Sequence, residues 1–465
     1  SVVVERLRSL FPALDEGVAQ RWGGSASAPR AAFAGVGGLL RRFRAGCGMS
    51  DYDAAVLEFF RAEPNFAARL ERLERVSFVR TSKRFLSQKS VDMLYFTEMF
   101  SDVSRLERYM QCPFAFFALY NLRLRGRPSF KAGAADFGTF YHEVLRDFGT
   151  SLALNRLDWH ELDTEQIDRI TDGSVERISQ ELADGVLLSS PRYEYIAQRM
   201  ARTAKRSIWA LAQHLRRGSF TPVASEIGFG ANAPISGITI ETGNGRKLRL
   251  QGRIDRVDIY DSNGKRYVKV IDYKSGNASF DINDIYRGTQ LQLMTYLDIF
   301  IKTGHEYLTD TDRKRPELAP GGVLIFKLDN PILDEAKLKN TDILEALLGE
   351  YRMTGLVLAD DEVIRAMDAE MAGTSNIVPV SVKKDGTFAA RGTKVADEAQ
   401  FRQLRQDVTA KAAEIARRMS DGDIEVNPMA RPGGGTACTY CGFANICHVE
   451  ISAREGGADA GLSQR

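Results

Sequence analysis

Two stretches near the middle of the chain set charged residues among apolar ones: Gly252-Arg-Ile-Asp255-Arg-Val-Asp258 and Val270-Ile-Asp272-Tyr-Lys274-Ser-Gly276. On a strand, residues two apart share a face, so Asp272 and Lys274 point together and the Tyr273 side chain points away. Apolar Val268, Val270 and Ile271 place these charges at the edge of a core, where Asp and Lys persist only when they pair or bind a metal. Cleaving a phosphodiester requires a hard cation to gather anionic oxygens and carboxylates to hold that cation. Asp255 and Asp272 can supply the carboxylates from neighbouring strands. The expected ion is Mg²⁺ or Mn²⁺, with the Tyr273 backbone carbonyl as a further ligand. Lys274 can orient the attacking water and stabilise charge beside the phosphate. An Asp-x-Lys strand by itself reads as an ordinary ion pair. The Gly-x-Ile-Asp strand in front of it, joined through the hairpin signal Asn263-Gly264, sets this one apart.

Further polar groups gather around that pair. Gln292 and Tyr296 are four apart in a helical stretch and share a face, opposite Leu293, Leu297 and Phe300. Such a helix, directly downstream of the Asp-x-Lys strand, places polar groups over the site. His142 follows Gly138 by four residues, and the glycine is expected to let that helix approach the sheet closely. A neutral imidazole can complete a Mg²⁺ or Mn²⁺ site, although oxygen ligands dominate such sites. His160, His214, His305 and His448 read as ordinary histidines. Cys438-Thr-Tyr-Cys441, with Cys447 six residues on, gives three thiolates in one short loop. A tetrahedral site wants a fourth, and the candidates are Cys112, on an apolar helix, and Cys47, in a Gly-rich loop. Spacing alone does not separate zinc from an iron–sulfur cluster. Arg123, Arg125, Arg127 and Lys131 form a basic patch with no acidic neighbour, suited either to DNA or to plain solvent.

The elements that must position these groups can be read from periodicity. Residues 1–100 are mainly helical, with apolar spacing at Leu10, Ala13, Leu14 and Val18 and at Phe60, Phe66, Leu70 and Leu73. One helix is predicted from Ser101-Asp102 through Leu119, another around Phe137–Leu145, and long amphipathic helices over 165–185 and 192–217. From Pro222 the pattern turns to strands: Val223–Phe229, Leu248–Tyr260, Tyr267–Lys274. A helix over Asp284–Ile301 and a strand over Gly322–Leu328 follow. Residues 335–420 read as helix-rich with one β-like run, Ile377–Val382, and the tail 453–465 as disordered. At 465 residues the chain is too long for one ordinary core. With 63 Lys and Arg against 61 Asp and Glu, the net charge is +2, so DNA contact must come from local basic patches. No apolar run could span a bilayer, and no signal peptide or nucleotide-cradling loop is present. Five cysteines, three of them crowded together, argue for metal ligation in a reducing, cytoplasmic setting over a disulfide framework. The chain opens on Ser1 and reads there as mid-protein sequence, so a piece of a longer subunit is expected.

Together these runs carry a resemblance. Val103-Ser-Arg-Leu-Glu107-Arg-Tyr109-Met-Gln-Cys112-Pro113-Phe114, Phe137-Gly-Thr-Phe-Tyr-His142, Gly252-Arg-Ile-Asp255, Asp272-Tyr-Lys274-Ser-Gly, Gln290-Leu-Gln292-Leu-Met-Thr-Tyr296-Leu and Cys438-x-x-Cys441-x5-Cys447 occur in one order. So do Gly355-Leu-Val-Leu-Ala-Asp360 and Ile377-Val-Pro-Val-Ser-Val-Lys-Lys-Asp-Gly386. Over about residues 100–450 the chain resembles the nuclease region of the AddB (RexB) components of bacterial AddAB helicase–nucleases. The resemblance implies an α/β PD-(D/E)XK (restriction-endonuclease-like) core with a mixed central sheet, large helical additions and an Fe–S staple. It implies a nuclease domain over 101–452 with a helical insertion near 335–420, preceded by the end of an inactive helicase-like region. By the same resemblance His142, Asp255 and Asp272 match metal ligands, Lys274 the catalytic lysine, and Gln292 and Tyr296 the motif that follows. Cys112, Cys438, Cys441 and Cys447 match the ligands of a [4Fe–4S] cluster. The implied activity is exonucleolytic cutting of the 5′-ended strand at double-strand DNA ends, with single-stranded DNA in the nuclease channel. It serves recombinational repair, in a heterodimer with an AddA motor subunit. A Cas4-like iron–sulfur exonuclease is the nearest alternative, but those chains are much shorter. A non-catalytic DNA-end scaffold with structural zinc is the second, opposed by the complete His–Asp–Asp–Lys set.

Overall fold

The Asn263-Gly264 pair does what its type allows: both residues adopt positive φ, 50° and 75°, and close a two-residue turn between β5 (Gly252–Ser262) and β6 (Lys265–Lys274). In the computed structural model, which describes residues 28–44, 48–77, 84–126, 134–181, 190–242, 245–276, 279–308, 315–333, 342–431 and 435–447, β5 and β6 sit inside a six-stranded sheet. Its order is β2-β5-β6-β7-β8-β9, with β2 (Thr221–Phe229), β7 (Glu317–Lys327), β8 (Thr354–Leu358) and β9 (Val395–Ala396). The sheet is mixed: β6 runs parallel to β7 and β8 to β9, and the other neighbours are antiparallel. A second, small sheet joins β1 (Glu98–Ser101), β4 (Lys247–Leu250) and β3 (Thr239–Glu241) in the order β1-β4-β3.

The chain divides into two compact units at Lys83/Arg84, ahead of the boundary near residue 100 expected from sequence. In the first unit three helices, α1 (Pro29–Arg44), α2 (Asp51–Ala62) and α3 (Pro64–Ser77), bury Val36, Leu40, Phe60 and Leu70. The second unit holds both sheets. Its helices include α4 (Gln88–Leu94), α5 (Val103–Gln111), α6 (Pro113–Phe116), α7 (Ala134–Asn155), α8 (Thr164–Glu181), α9 (Pro191–Arg216), α10 (Ile282–Arg287), α11 (Gln292–Thr303), α12 (Ile343–Glu350), α13 (Asp361–Met367) and α14 (Glu398–Ser420). Strands β6 and β7 are buried on both faces, with Val268, Val270, Val323, Leu324 and Phe326 fully enclosed. No helix of the described residues is long and apolar enough to cross a membrane.

Four expected elements differ. The helix predicted from Ser101 through Leu119 is cut at Cys112, which is extended (φ −171°, ψ 115°) between α5 and α6. Pro113 disfavours helical geometry in the residue before it, so Cys112 lies in a break between helices and not on an apolar helix. The run Leu248–Tyr260 is two strands in different sheets, separated at Gln251. The helix over Asp284–Ile301 is broken by Gly288, left-handed at φ 79°, where an added Cβ would lie 2.8 Å from Met110 Cγ. The stretch 335–420 contributes β8 and β9 to the central sheet, and Ile377–Val382 joins it through no named strand.

Candidate active site

Asp255 and Asp272 lie across the β5–β6 pairing, one step beyond the Arg256/Ile271 pair. Both are buried, at 6 and 2 % exposure. The Tyr273 N–H donates to Asp255 Oδ2 at 2.8 Å, which fixes that carboxylate against its neighbour strand. Asp272 takes Lys274 Nζ at 2.8 Å on one oxygen, while its Oδ1 is buried with no hydrogen-bond partner. Lys274, part-exposed, also donates to Gln292 Oε1 at 3.2 Å, and Gln292 Nε2 donates to the Tyr296 hydroxyl at 3.1 Å. The shared strand face of Asp272 and Lys274 and the shared helix face of Gln292 and Tyr296 therefore meet. The Tyr273 ring goes to the other side of the sheet, edge-on to Phe326.

α7 brings His142 to the same place. One ring nitrogen lies 3.1 Å from the Tyr273 carbonyl oxygen, the other 3.0 Å from Glu226 Oε1 and 3.6 Å from Asp255 Oδ1. His142, Glu226 and Asp255 offer ligand atoms all within 4.8 Å of one another. Gly138 does not act as expected: a Cβ there would sit 3.6 Å from Ser275 Oγ, an ordinary contact.

Sequence reasoning missed Glu226. It stands on β2 with φ 53°, a left-handed conformation uncommon for a residue with a side chain and often found where a site imposes strain. The available signal was a phase break: the buried positions of β2 are Ala224, Ile227 and Phe229, so the two-residue alternation slips around Glu226. Glu107 of α5 was also missed; its Oε1 accepts from the backbone N–H of Leu291 and Gln292.

The electrostatics follow from three carboxylates in one pocket. Burial and then Asp272 push the Asp255 carboxyl up to about 7, against the pull of His142. Burial raises Asp272 too, with Lys274 opposing. Burial alone would depress the His142 imidazole, but Glu226 and Asp255 outweigh it and lift the ring to about 8. Lys274 pairs with Asp272, and His142 and Arg253 flank Glu226 at 3.0 and 3.6 Å, but burial keeps the Asp255 and Asp272 carboxyls raised all the same. Asp272 Oδ1, orphaned and buried, fits a hard cation.

Cys112, Cys438, Cys441 and Cys447 line one small cavity with Arg108, Phe114 and Phe443. None of the four is in a disulfide. Arg108, one of the lining residues, has its Nε buried without a hydrogen-bond partner, and a cation at the wall of a four-cysteine cavity suits an anionic group. Cys47 lies outside the described residues, as do Arg127 and Lys131; Arg123 and Arg125 stand exposed in the loop at 123–126.

Comparison with known proteins supplies the family. The family model of the PD-(D/E)XK nuclease superfamily matches residues 102–448. A protein of Clostridium novyi (strain NT) is 34% identical over 460 residues, covering 97% of this chain and 40% of its own length. One of Thermoanaerobacter sp. (strain X514) is 35% identical over 370 residues, 79% of this chain and 31% of its own. One of Acetivibrio thermocellus is 33% identical over 463 residues, 98% of this chain and 40% of its own. All three are named as the B-type subunit of an ATP-dependent helicase/deoxyribonuclease, and the chain spans two fifths or less of their length. With a mixed sheet that pairs Asp255 with Asp-x-Lys, and a superfamily match over about three quarters of its length, the chain belongs to the PD-(D/E)XK nuclease superfamily.

Proposed function

We propose that the chain is the nuclease module of a B-type helicase/deoxyribonuclease subunit, hydrolysing phosphodiester bonds at DNA ends with a divalent cation. The observation that carries this reading is the buried, partnerless Oδ1 of Asp272, beside Asp255 and below Lys274. His142, Asp255, Asp272 and the Tyr273 carbonyl would hold Mg²⁺ or Mn²⁺, with Glu226 beside them. When bound, the ion supplies positive charge to the scissile phosphate and acidifies a water molecule. Lys274 keeps its proton: burial works against the charge, but Asp272 more than compensates. Its ammonium, aimed by Asp272 and Gln292, can meet a phosphate oxygen or the incoming water. Tyr296 holds Gln292, so the ammonium does not wander among rotamers.

The relatives' name supports a partner with a motor, and an AddA-type protein in a cytoplasmic heterodimer fits the resemblance. It would feed a single strand from a double-strand end into this site, the 5′-ended strand by that resemblance. Arg123 and Arg125, exposed in the loop at 123–126, would contact the DNA backbone together with Arg127 and Lys131 of the same sequence run. The four cysteines would hold a [4Fe–4S] cluster; the orphaned Arg108 donor and the all-thiolate set fit it. The test is cleavage of end-labelled linear DNA with Mg²⁺ or Mn²⁺. Asp272→Ala and Lys274→Ala should each remove cleavage and leave DNA affinity within a few-fold of wild type, because phosphate contacts carry affinity. Full cleavage by Asp272→Ala would refute the assignment.

A further inference from the structure

α11, the helix that carries Gln292 and Tyr296, begins without a cap of its own. Its N-cap residue, Leu291, has no side chain able to accept a hydrogen bond, and no local side chain caps it. The first N–H groups of a helix have no partner within it and need one from outside. Here the partner comes from 184 residues away in sequence: Glu107 Oε1 accepts from Leu291 N at 2.7 Å and from Gln292 N at 3.0 Å. A carboxylate at this end also complements the helix dipole.

We propose that Glu107 is a positioning residue of the nuclease site, setting the height and rotation of α11 so that Gln292 meets Lys274. The chain of contacts is continuous. Glu107 grips the backbone of Gln292, whose side chain accepts from Lys274 at 3.2 Å and donates to Tyr296 at 3.1 Å. The rest of α11 is held separately: Asp298, buried at mid-helix, takes Lys302 at 2.6 Å and Arg405 of α14 at 2.7 Å, and Thr303 at the far end donates to the Ser236 carbonyl at 3.1 Å. Loss of Glu107 would therefore loosen the catalytic end of the helix and leave its far end anchored. α5 fixes Glu107 in turn, because Tyr109 two residues on is buried and donates to the Asp423 carbonyl at 2.9 Å. The same helix ends at Cys112, so the segment that enters the cysteine site also sets the catalytic helix. Burial pushes the Glu107 carboxyl up to about 7 even though both N–H groups and Lys274 favour its charge. Leaving so costly a group in place is understandable when two backbone donors depend on it.

This inference rests on the nuclease reading, and its test separates the two. Glu107→Ala and Glu107→Gln are compared with wild type by steady-state cleavage and by amide hydrogen exchange at Leu291 and Gln292. Glu107→Ala should speed exchange at both amides and lower kcat about tenfold or more, with KM for DNA changed less than about threefold, since misplacement affects the reacting geometry more than binding. Glu107→Gln keeps an acceptor oxygen and should restore kcat to within about threefold of wild type. Equal damage by Gln and Ala overturns the proposal, as does unchanged exchange or unchanged kcat in Glu107→Ala. Should Ala fail to fold, Gln still decides, because it must then fold and cleave. If wild type itself does not cleave DNA, the nuclease reading fails, and the exchange rates alone judge whether Glu107 holds α11.

Discussion

At the scale of single residues, the site is a set of buried carboxyls whose ionisation the fold does not reward. Asp255 ionises near 7 in place of the ordinary Asp range because it is buried next to Asp272. A carboxyl raised in this way binds its proton more tightly in the folded chain than in the unfolded one, so it costs stability as pH rises from about 4 to about 7. His142 acts in the same direction. Its raised value, about 8, gives stability that is present below the unfolded value and lost as pH rises through the folded one. Asp255→Asn removes the repulsion while its amide oxygen still accepts from Tyr273. In metal-free protein this variant should melt above wild type, by a margin that widens from pH 5 to pH 8 and reverses when saturating Mn²⁺ is added. Thermal melts with and without metal check this; a metal-free variant that melts below wild type at pH 8 contradicts it. Glu226→Gln should weaken Mn²⁺ binding about tenfold, as expected for a group that orients a ligating histidine, and calorimetric titration reads it directly. Asp255, Asp272 and Lys274 were legible in the sequence because charge inside an apolar strand is conspicuous. Glu226 and Glu107 were not. One sits where the strand's alternation fails, and the other caps a helix that only the fold brings near.

Elements carry a second layer of meaning in the same motif. Along β5, Asp255 belongs to the candidate site with Asp272 and His142, while Arg256 and Asp258 lie buried elsewhere in the core. Asp258 accepts from Arg256 at 2.6 and 3.1 Å and pairs with Lys269 at 2.9 Å. Arg256 lies over Trp159 and Lys269 over Phe220. Burial, and then the nearby cations, hold His214 neutral, down to about 3. The sequence pattern Gly-Arg-Ile-Asp-Arg-Val-Asp is thus half chemistry and half structure, and only the register distinguishes them. Asp258→Ala leaves two cations enclosed without a counter-charge. It should destabilise the fold by about 3–5 kcal/mol, measurable by urea unfolding, and a loss below about 1 kcal/mol would show that the cations find other partners. Element ends were legible where local chemistry dictates them, as at Asn263-Gly264. They were misjudged where tertiary contact decides. Gly288 breaks a helix that apolar periodicity carries straight through, because α10 must turn away where Met110 packs. Strand β8 was hidden by its setting in a helix-rich stretch, since four or five apolar residues fit a buried helix equally well.

For the second unit as a whole, the question is what holds its first and last segments together. Backbone hydrogen bonds already link them: Leu86 N to Gly422 O, Ile424 N to Arg84 O, Phe114 N to Glu425 O and Met429 N to Gln111 O, all between 2.8 and 3.1 Å. On this scaffold Cys112 and the loop of Cys438, Cys441 and Cys447 converge on one cavity. A cluster bound there cross-links segments more than three hundred residues apart. By the loop-closure argument such a link is worth about 5 kcal/mol, but only while it survives in the unfolded chain. A metal cluster does not survive unfolding, so its contribution is better described as binding to the native state alone. If the four cysteines hold such a cluster, its loss would make unfolding irreversible, and the apparent melting temperature should depend on scan rate. Cys112→Ala and Cys441→Ala should each lack the broad absorbance near about 400 nm of an iron–sulfur centre. Each should melt earlier and bind DNA ends more weakly, although neither residue touches Asp255 or Asp272. Arg108→Ala should keep all four cysteines yet lose a bound cluster faster under chelator, because it removes a cation from the wall of the cavity. Zinc in place of iron, found by metal analysis of anaerobically purified protein, would leave the clamp argument intact and remove the absorbance. Retention of iron by Cys112→Ala would take Cys112 out of the ligand set, and with it the view that α5 runs from a bound cluster to the helix of Gln292.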